Sequence, residues 1–329
     1  MKFMIDGLVT VIIPCYNGAE HLRVSLNSIL EQTYKKIQII FVDDGSTDDT
    51  KDIALAYEQR FVQQKMQYMY IYQENQGVGA AVSNGIQYIE GEFLTLLDAD
   101  DYFMKESIEK KVEFLKKNKE FGIVRTNGYL CLSDDENLDE TKLFVNDTQE
   151  IKEEFIYENL ILGKTNNWAG SYLIRTKYLK ELYQNQKFYS SRYGQNMQLL
   201  VPVAKKYKSG FINEPLMKYI QWDQTITRDK VASYDKQRRM YEGFKDIRLQ
   251  LLKQFDDNNK ILKEKVIEMY DHIFLRLAYE YGKKEDVFKL YNKLKNKKKV
   301  ISEEKTYYYY TKGRIYKIIA LVCSKFHIW

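Results

Sequence analysis

The chain has 329 residues, of which 44% are hydrophobic and 29% are charged, and its net charge is +5. These proportions are ordinary for globular proteins, so they exclude a disordered chain and one built mainly of membrane spans. Residues 293–329 hold ten Lys or Arg and two Glu, a local charge of +8 that leaves about −3 for residues 1–292. The basic character belongs to the C-terminal segment, and a body that binds nucleic acid is therefore not supported.

The first 130 residues alternate short apolar runs with amphipathic segments, which is the pattern of a parallel sheet wrapped by helices. Ala19–Gln32 has apolar residues at helical spacing, and Asp48–Phe61 follows Thr47 as a candidate N-cap. The fold class predicted for this part is α/β. The predicted strands are Leu8–Ile13, Ile37–Val42, Met66–Tyr72, Phe93–Leu97 and Ile123–Leu132.

The later part of the chain changes character twice. Residues 134–154 are acidic and polar, which predicts a loop before a helix near Lys152–Leu162. From about Tyr234 the apolar spacing is helical throughout, with a hairpin over Val266–Leu294. We therefore predict a first domain of residues 1–230, with halves 1–132 and 133–230, and an all-helical extension of residues 231–329.

The cysteines and the N-terminus indicate a cytoplasmic protein. Cys15, Cys131 and Cys323 are widely spaced and have no metal-ligand or redox spacing. Met1–Leu8 includes Asp6 and lacks the apolar core of a signal peptide. Because no run of about 18 apolar residues occurs, we expect no membrane-spanning helix.

Polar residues directly follow four of the predicted strands. In an open parallel sheet, ligands bind beyond the carboxyl ends of the strands. We therefore expect these four segments to meet at one edge of the sheet. They are Pro14-Cys15-Tyr16-Asn17, Asp43-Asp44-Gly45-Ser46, Asn75-Gln76-Gly77 and Asp98-Ala99-Asp100-Asp101.

The carboxylates after the fourth strand, Asp98, Asp100 and Asp101, are expected to converge. Crowded acids repel one another unless a cation neutralises them. Mg²⁺ and Mn²⁺ typically take one or two protein carboxylates and complete their shell with phosphate oxygens and water. The pattern favours a divalent metal with a diphosphate ligand; the alternative is that these acids only cap the next helix.

In this order, the motifs resemble the family-2 glycosyltransferases of the GT-A fold, over roughly residues 8–225. That family has the same residues as Pro14-x-Tyr16-Asn17, Val42-Asp43-Asp44-Gly45-Ser46-Thr47-Asp48 and Leu97-Asp98-Ala99-Asp100-Asp101. The resemblance implies a GT-A-like, mostly parallel sheet flanked by helices. It also implies an inverting hexosyl transfer from a nucleotide-diphosphate sugar, with UDP favoured, to a glycan or lipid-linked acceptor in surface polysaccharide synthesis.

The resemblance assigns a donor site to the first strand ends. Pro14 and Tyr16 would flank the nucleotide base with Asn17 beside them, and Asp44 would accept a hydrogen bond from the base. Gly77 would lie in the floor of the site. The alternative for Tyr16 is a packed core aromatic.

The metal, Mn²⁺ or Mg²⁺, would lie at the fourth strand end. By resemblance Asp98 faces the ribose and the metal, and Asp100 binds the metal that bridges the phosphates. Asp43 is expected only to brace its loop. The family often has Arg and Asn where this chain has Val82 and Ser83, so one phosphate or base contact is missing there.

The main departure from the family lies in the acceptor half. A Glu-Asp pair usually begins a helix there, and its Asp takes the proton from the attacking hydroxyl; this chain has Gln195 and Asn196. An amide has no useful basicity, whereas a general base contributes about 10²- to 10⁴-fold. Three hypotheses stay open: another carboxylate such as Asp223 or Glu214 is the base, the acceptor is already ionised or acidic, or the donor binds without turnover.

Trp168, Gln195 and Arg175 fall where the family has its acceptor side. An aromatic ring such as that of Trp168 either stacks against a sugar or packs in the core. In the basic segment 293–329, Lys and Arg are interleaved with aromatic and apolar residues. This pattern suits a helix on an anionic membrane surface, or else a final helix packed on its own domain.

The leading interpretation is a metal-dependent glycosyltransferase. A sugar-phosphate nucleotidyltransferase is a second interpretation, although Pro14-Cys15-Tyr16-Asn17 does not resemble the Gly-rich basic loop that such enzymes have after the first strand. The third interpretation is a non-catalytic nucleotide-sugar-binding protein, which Gln195 and Asn196 would favour.

Overall fold

Runs of Val, Ile, Phe and Tyr form one eight-stranded sheet in the computed structural model, which describes residues 4–132, 142–184, 186–221 and 233–313. The strands are β1 (Ile5–Cys15), β2 (Ile37–Asp43), β3 (Gln67–Tyr72), β4 (Gly91–Leu96), β5 (Tyr102–Phe103), β6 (Phe121–Leu132), β7 (Tyr172–Arg175) and β8 (Lys208–Gln221). Their order across the sheet is β3-β2-β1-β4-β7-β6-β8-β5. All five predicted strands are confirmed.

The first four strands of the sheet are parallel. β1 pairs with both β2 and β4, and β3 lies outside β2. β1 and β2 are almost wholly apolar, and side chains such as Ile12 and Phe41 are fully buried, as expected for parallel strands covered on both faces. Their carboxyl ends therefore meet at one edge.

The remaining strands make the sheet mixed. β7 is antiparallel to β4 and to β6, β8 is parallel to β6, and β5 is antiparallel to β8. The mostly parallel α/β sheet that the sequence predicts is confirmed. Its antiparallel pairs are β4 with β7, β6 with β7, and β5 with β8. The helices of this unit within the described residues are α1 (Leu22–Leu30), α2 (Thr50–Ala56), α3 (Glu58–Gln63), α4 (Val78–Ile86), α5 (Ser107–Lys117), α6 (Thr148–Lys152), α7 (Tyr157–Ile161), α8 (Thr176–Leu182) and α9 (Asn196–Lys206).

The single helix predicted over Asp48–Phe61 is wrong, because α2 and α3 are separated at Tyr57. The N–H of Tyr57 bonds to the Ala54 carbonyl, three residues back, and this tighter turn interrupts the α-helical ladder. Thr47 is not the N-cap either. Its N–H and hydroxyl both donate to the Asn17 side chain, 30 positions earlier in the chain.

The helix predicted near Lys152–Leu162 is confirmed only over Tyr157–Ile161, since an extended stretch separates this helix from α6. Glu153 has a ψ of 115°, and the carbonyl of Glu154 accepts the N–H of Ser209 at 2.8 Å. Pairing with β8 therefore replaces the helical turn there. The loop prediction over residues 134–154 falls partly on residues 133–141, which lie outside the described residues.

The chain divides into two compact units, Met1–Asp229 and Lys230–Trp329. The described part of the second unit is helical, and the predicted hairpin over Val266–Leu294 is confirmed by the pairing of its second and third helices. Apolar side chains such as Leu251, Val266 and Leu294 are buried in this unit. Its helices are α10 (Tyr234–Phe255), α11 (Lys260–Glu280), α12 (Lys284–Asn296) and α13 (Ser302–Lys312).

The tyrosines of α13 pack within the second unit. Tyr307 stacks on Tyr279 of α11 with ring centroids 4.3 Å apart, and Tyr308 stacks on Tyr291 of α12 at 4.1 Å. These contacts favour the packed-helix alternative for residues 302–312. The apolar stretch after Arg314 lies outside the described residues, and the membrane contact of 293–329 stays a prediction. Among the helices of the described ranges, none combines the length and the apolar character that crossing a bilayer requires.

A lysine of the first unit is fully buried. The Nζ of Lys111, on α5, donates to the Gly170 carbonyl at 2.6 Å and lies over the Phe103 ring. Burial lowers the pKa of Lys111 from 10.5 to about 7. The folded protein therefore binds this proton more weakly than the unfolded chain does.

We expect the stability of the first unit to rise with pH between about 7 and 10, because the unfolded chain is protonated at Lys111 in this window and the folded protein is not. The slope contributed by this residue is up to about 1.4 kcal/mol per pH unit. Lys111→Met should remove that part of the slope in urea unfolding at pH 7, 8 and 9. Lys117→Met, at a side chain that is 75% exposed, is the control, and identical slopes for wild type and Lys111→Met would contradict the prediction.

Candidate functional site

Loops at the carboxyl edge of the sheet are bonded directly to one another. The N–H of Asp44 donates to the Cys15 carbonyl at 2.8 Å, which joins the ends of β1 and β2. The N–H of Gly77 donates to the Asp44 carboxylate at 2.8 Å, which adds the loop after β3. The predicted donor-site residues in this connected group of loops are Pro14, Tyr16, Asn17, Asp44 and Gly77.

The residues after β1 divide between structural and exposed roles. Asn17 has a positive φ of 50°, which Asn tolerates better than most residues. Its N–H donates to Ser46 Oγ at 2.9 Å, and its side chain accepts the N–H of Thr47. Pro14 is buried in β1, whereas Tyr16 is 53% exposed. The core-aromatic alternative for Tyr16 is therefore wrong, and its ring is accessible to a ligand.

Asp43 braces its own loop, as predicted. One carboxylate oxygen accepts the N–H of Ser46 at 2.8 Å, and the other accepts the Tyr70 hydroxyl at 2.7 Å. The residue is 1% exposed. Both oxygens of Asp43 therefore have partners inside the protein.

Asp44 holds the loop after β3. Its Oδ1 accepts Gln73 Nε2 at 2.7 Å and the N–H of Gln76 at 2.9 Å, and its Oδ2 accepts the N–H of Gly77. A carboxylate has about four acceptor positions, so these three donors leave one for a ligand. Asn84 Nδ2 donates to Gln73 Oε1, which fixes the Gln73 amide with its nitrogen toward Asp44.

Residues 191–195, which we call the bridging segment, pass from the loop after β3 to the end of β4. The N–H of Gly79 donates to the Ser191 carbonyl at 2.9 Å, and Arg192 Nη1 donates to Asn75 Oδ1 at 2.9 Å. At the other end, Gln195 Nε2 donates to Asp98 Oδ1 at 3.1 Å. The bridging segment belongs to the second half of the first unit, and the sequence analysis did not predict its contacts.

Two glycines allow the bridging segment to approach the loop after β3 and the start of α4 closely. Gly77 has a φ of +93°, and a Cβ on it would lie 2.7 Å from Arg192 Cγ. A Cβ on Gly79 would lie 2.4 Å from the backbone nitrogen of Ser191. Side chains at these two positions would therefore displace the bridging segment.

Asp98 and Asp100 both have raised pKa values. Burial and then the charge of Asp100 raise the pKa of Asp98 to about 7, against a lowering by the hydrogen bond from Gln195. Burial also raises the pKa of Asp100, whereas a hydrogen bond from its own backbone and then the charge of a protonated His21 lower it. The pair is therefore held in a place that disfavours its negative charges.

Asp101 lies close to Asp98 and Asp100, as expected, since burial and then the charges of Asp100 and Asp98 raise its pKa. Asp101 is 1% exposed, and its Oδ1 accepts the N–H of Ile220 in β8 at 3.2 Å. Its Oδ2 has no hydrogen-bond partner among the described residues. Within the same residues, no three His, Cys, Asp or Glu side chains are grouped so as to hold a metal by themselves. Any metal here depends on two carboxylates and on ligands from outside the chain.

The Asp98–Asp100 pair fits a divalent cation of this kind. Both groups are oxygen donors, both have raised pKa values, and Gln195 supplies only a neutral amide to Asp98. A hard cation would offset their repulsion, and phosphate oxygens and water would complete its shell. Asp98 and Asp100 are therefore the residues that would hold the ion.

Asn196 begins α9, and its side chain is oriented by a residue that the sequence analysis missed. The Tyr172 hydroxyl donates to Asn196 Oδ1 at 2.7 Å. Tyr172 is fully buried, and burial followed by the charge of Asp98 raises its pKa. No motif marks Tyr172 in the sequence, because its relevance depends on the pairing of β7 with β4. With Oδ1 engaged, the remaining polar atom of the Asn196 side chain is Nδ2, a hydrogen-bond donor.

Trp168 is part of an aromatic cluster, and Arg175 is part of the frame. The Trp168 ring stacks on Tyr219 with centroids 5.7 Å apart and meets Phe144 edge-on. Arg175 is buried, and its guanidinium donates to the carbonyls of Phe121 and Leu115. Arg175 is therefore committed to holding α5 and β6, whereas Trp168 is half-buried with its ring in the cluster.

Among the described residues, no candidate base outside α9 contacts Asp98. Asp223 lies outside the described residues. Glu214 is about half exposed and pairs with Lys110, with 2.6 Å between Lys110 Nζ and Glu214 Oε2. No described contact joins Glu214 to Asp98.

Comparison with known sequences identifies a family. The sequence model of glycosyl transferase family 2 matches residues 10–182, more than half of the chain. TuaG of Bacillus subtilis, whose name refers to teichuronic acid biosynthesis, is 34% identical over 108 residues, 33% of this chain and 42% of that protein. The alignments to the first curated relatives cover about a third of those proteins' length.

Comparison with solved structures identifies the fold. Residues 1–349 of TarS from S. aureus, solved in complex with UDP-GlcNAc, give a TM-score of 0.53 at 17% identity over 95% of this chain and 89% of that one. The mannosyltransferase PcManGT of Pyrobaculum calidifontis, in complex with GDP-Man and Mn²⁺, gives 0.50 at 16% identity over 96% and 86%. The GT-A-like fold with a helical extension is confirmed.

Replacing Asp44 by Asn should destabilise the first unit. Both carboxylate oxygens accept N–H donors, so an amide nitrogen on either side would face a donor. We expect a loss of about 1–3 kcal/mol in the free energy of unfolding, measured by urea denaturation. Asp49→Asn, at an exposed N-cap that makes no side-chain cap bond, is the control. Equal stability of the two variants would show that Asp44 does not hold the loop.

Proposed function

Because the chain belongs to glycosyl transferase family 2, we propose that it is an inverting, metal-dependent hexosyltransferase whose donor is a nucleotide-diphosphate sugar, with UDP favoured. The acceptor in this proposal is a glycan or lipid-linked intermediate of surface polysaccharide synthesis. Transfer takes place at the inner face of the cell membrane, which the basic segment 293–329 contacts. The name of TuaG supports the polysaccharide role.

The observation that carries the proposal is the placement of two neighbouring acids, Asp98 and Asp100, where burial disfavours their negative charges. The raised pKa values of both groups call for a cation, and the presence of Mn²⁺ in the PcManGT complex supports Mn²⁺ or Mg²⁺ here. When bound, such an ion offsets the charge that develops on the departing diphosphate. In the proposal, Asp98 and Asp100 hold the ion, and Gln195 keeps the Asp98 carboxylate in place through its amide.

The loops after β1 and β2 form the nucleotide side of the proposed site. Tyr16 offers an exposed ring for stacking, with Pro14 and Asn17 beside it, and Asp44 has one acceptor position left for an N–H of the base. Gly77 brings the floor of the site close to Asp44. The TarS complex with UDP-GlcNAc supports a UDP donor and the PcManGT complex supports GDP; a carboxylate accepts the ring N–H of either base.

The proposed transfer is a single displacement. The acceptor oxygen bonds to the anomeric carbon from the face opposite the diphosphate, and the bond to the diphosphate breaks with its electron pair leaving on the phosphate oxygen. Asn196 does not accept the proton, since its oxygen is already engaged by Tyr172. Either the acceptor arrives ionised or another carboxylate, for which Asp223 is the candidate, takes the proton. Trp168 and Gln195 are assigned to the acceptor side.

One alternative has an observation in its favour. Gln195 and Asn196 are neutral where the family usually has two acids, and Gln195 already satisfies one oxygen of Asp98. A nucleotide-sugar-binding protein without turnover would have this arrangement. The family match removes the reason for considering a nucleotidyltransferase.

Asp100→Asn should weaken Mn²⁺-dependent binding of UDP by at least about tenfold, because it removes half of the metal's protein ligands. Titration calorimetry of UDP with and without Mn²⁺ measures this effect. Asp52→Asn, at an exposed acid on α2, is the control for the loss of one charge. Unchanged affinity of Asp100→Asn in Mn²⁺ would refute the metal site.

Asn196→Asp distinguishes the enzyme from the non-catalytic alternative. The Tyr172 hydroxyl can donate to a carboxylate as it does to the amide, so the variant fits the site. We expect the wild type to release UDP from UDP-sugars in the presence of cell-envelope glycan. We expect Asn196→Asp to change that rate by less than about tenfold, well below the contribution of a missing general base. An inactive wild type with an active Asn196→Asp variant would instead support the non-catalytic alternative.

A further inference from the structure

The proposed donor site needs a cation on its nucleotide side. A diphosphate that reaches from Asp44 to Asp98 and Asp100 is itself anionic, and it would lie among carboxylates. Val82, which stands where the family often has Arg, is fully buried in α4. Because valine is uncharged and this one is buried, position 82 supplies no positive charge to a ligand.

Arg192 of the bridging segment lies beside this route. Its backbone and stem are in contact with Gly77, where a Cβ would come within 2.8 Å of Arg192 Cα. Its Nη1 donates to Asn75 Oδ1 at 2.9 Å. Asn75 in turn lies against Gly45, since a Cβ there would be 2.7 Å from the Asn75 nitrogen. The guanidinium is thus bonded to the loop after β3, and the same residue of that loop, Asn75, contacts the loop after β2 at Gly45.

The other end of the bridging segment reaches the metal-binding pair. Gln195, three residues after Arg192, donates to Asp98. Three residues span at most about 11 Å, so Arg192 lies between the nucleotide loops and the carboxylates after β4. A nucleoside diphosphate that joins these two regions passes within reach of a long, exposed side chain.

The chemistry of Arg192 suits a phosphate. A guanidinium is always charged, and its five N–H donors form a planar fork that matches phosphate oxygens. Asn75 takes one of these donors and orients the group without neutralising it. We infer that Arg192 binds the diphosphate of the donor and supplies the cation that position 82 lacks. This inference rests on the proposed function and adds a residue from the second half of the unit to the donor site.

The alternative role for Arg192 is structural: its hydrogen bond to Asn75 would only hold the bridging segment in place. Two variants separate these roles. Asn75→Ala removes the hydrogen bond to Arg192 and leaves the guanidinium. Arg192→Met removes the charge and keeps most of the aliphatic stem against Gly77. Under our inference Arg192→Met has the larger effect on diphosphate binding; under the structural role the two variants have equal effects.

The test compares ligands that differ only in phosphate. Affinities for UDP, UMP and uridine are measured by titration calorimetry in saturating Mn²⁺ for the wild type, Arg192→Met and Arg192→Lys. We expect Arg192→Met to weaken UDP binding about 10- to 100-fold, as for the loss of a charge-assisted hydrogen bond, and to change uridine binding less than about twofold. Arg192→Lys should recover part of the UDP affinity, because it keeps the charge and loses the fork. Lys187→Met, an exposed cation in the preceding residues, is the control for net charge.

The outcomes are distinguishable. Equal losses for UDP and uridine in Arg192→Met, or losses matched by Asn75→Ala or Lys187→Met, would overturn the inference. So would wild-type UDP affinity in Arg192→Met. If the wild type binds none of UDP, GDP, CDP and dTDP, the proposed function fails and the inference fails with it. Should the wild type prefer GDP, the series is GDP, GMP and guanosine.

Discussion

The site depends on the burial of two neighbouring acids, Asp98 and Asp100. Folding places both carboxyl groups at the end of β4, where burial disfavours their charges, because the parallel pairing of β1, β2 and β4 fixes where that strand ends. The packed core of the sheet offsets this cost. A ligand that brings positive charge stabilises these charges, so the unfavourable state of the free protein becomes part of the affinity for a cation and its phosphates.

Neighbouring acids at the same edge have the opposite role. Asp43 and Asp44 are both buried, yet backbone N–H groups, an amide and a hydroxyl satisfy their oxygens. Their charges therefore hold loops together and attract no ion. The difference lies in the donors around each carboxylate. Asp43 and Asp44 accept backbone N–H groups from adjacent loops, whereas Asp98 accepts one side-chain amide from a distant segment.

The sequence predicts the parts of this structure that depend on local pattern. The apolar runs of β1 and β2, the polar residues that follow them and the hydrogen bond from Ser46 to Asp43 all depend on neighbours within a few positions. Long-range contacts escape prediction: Tyr172 matters because β7 pairs with β4, and the contact between Gln195 and Asp98 joins residues 97 positions apart. The break at Tyr57 also escapes, because a single tighter turn leaves the apolar spacing of the helix unchanged.

The absence of a side chain at Gly79 has a consequence for how a ligand enters. The backbone of Ser191 comes so close to Gly79 that not even a methyl group fits between them, so the fold itself holds the two halves of the unit together at this point. A ligand has no need to draw them shut, and its interaction energy is not spent on ordering this contact. The backbones of Gly79 and Ser191 leave no room for adjustment at this junction, so adjustment to a ligand falls to the side chains around it.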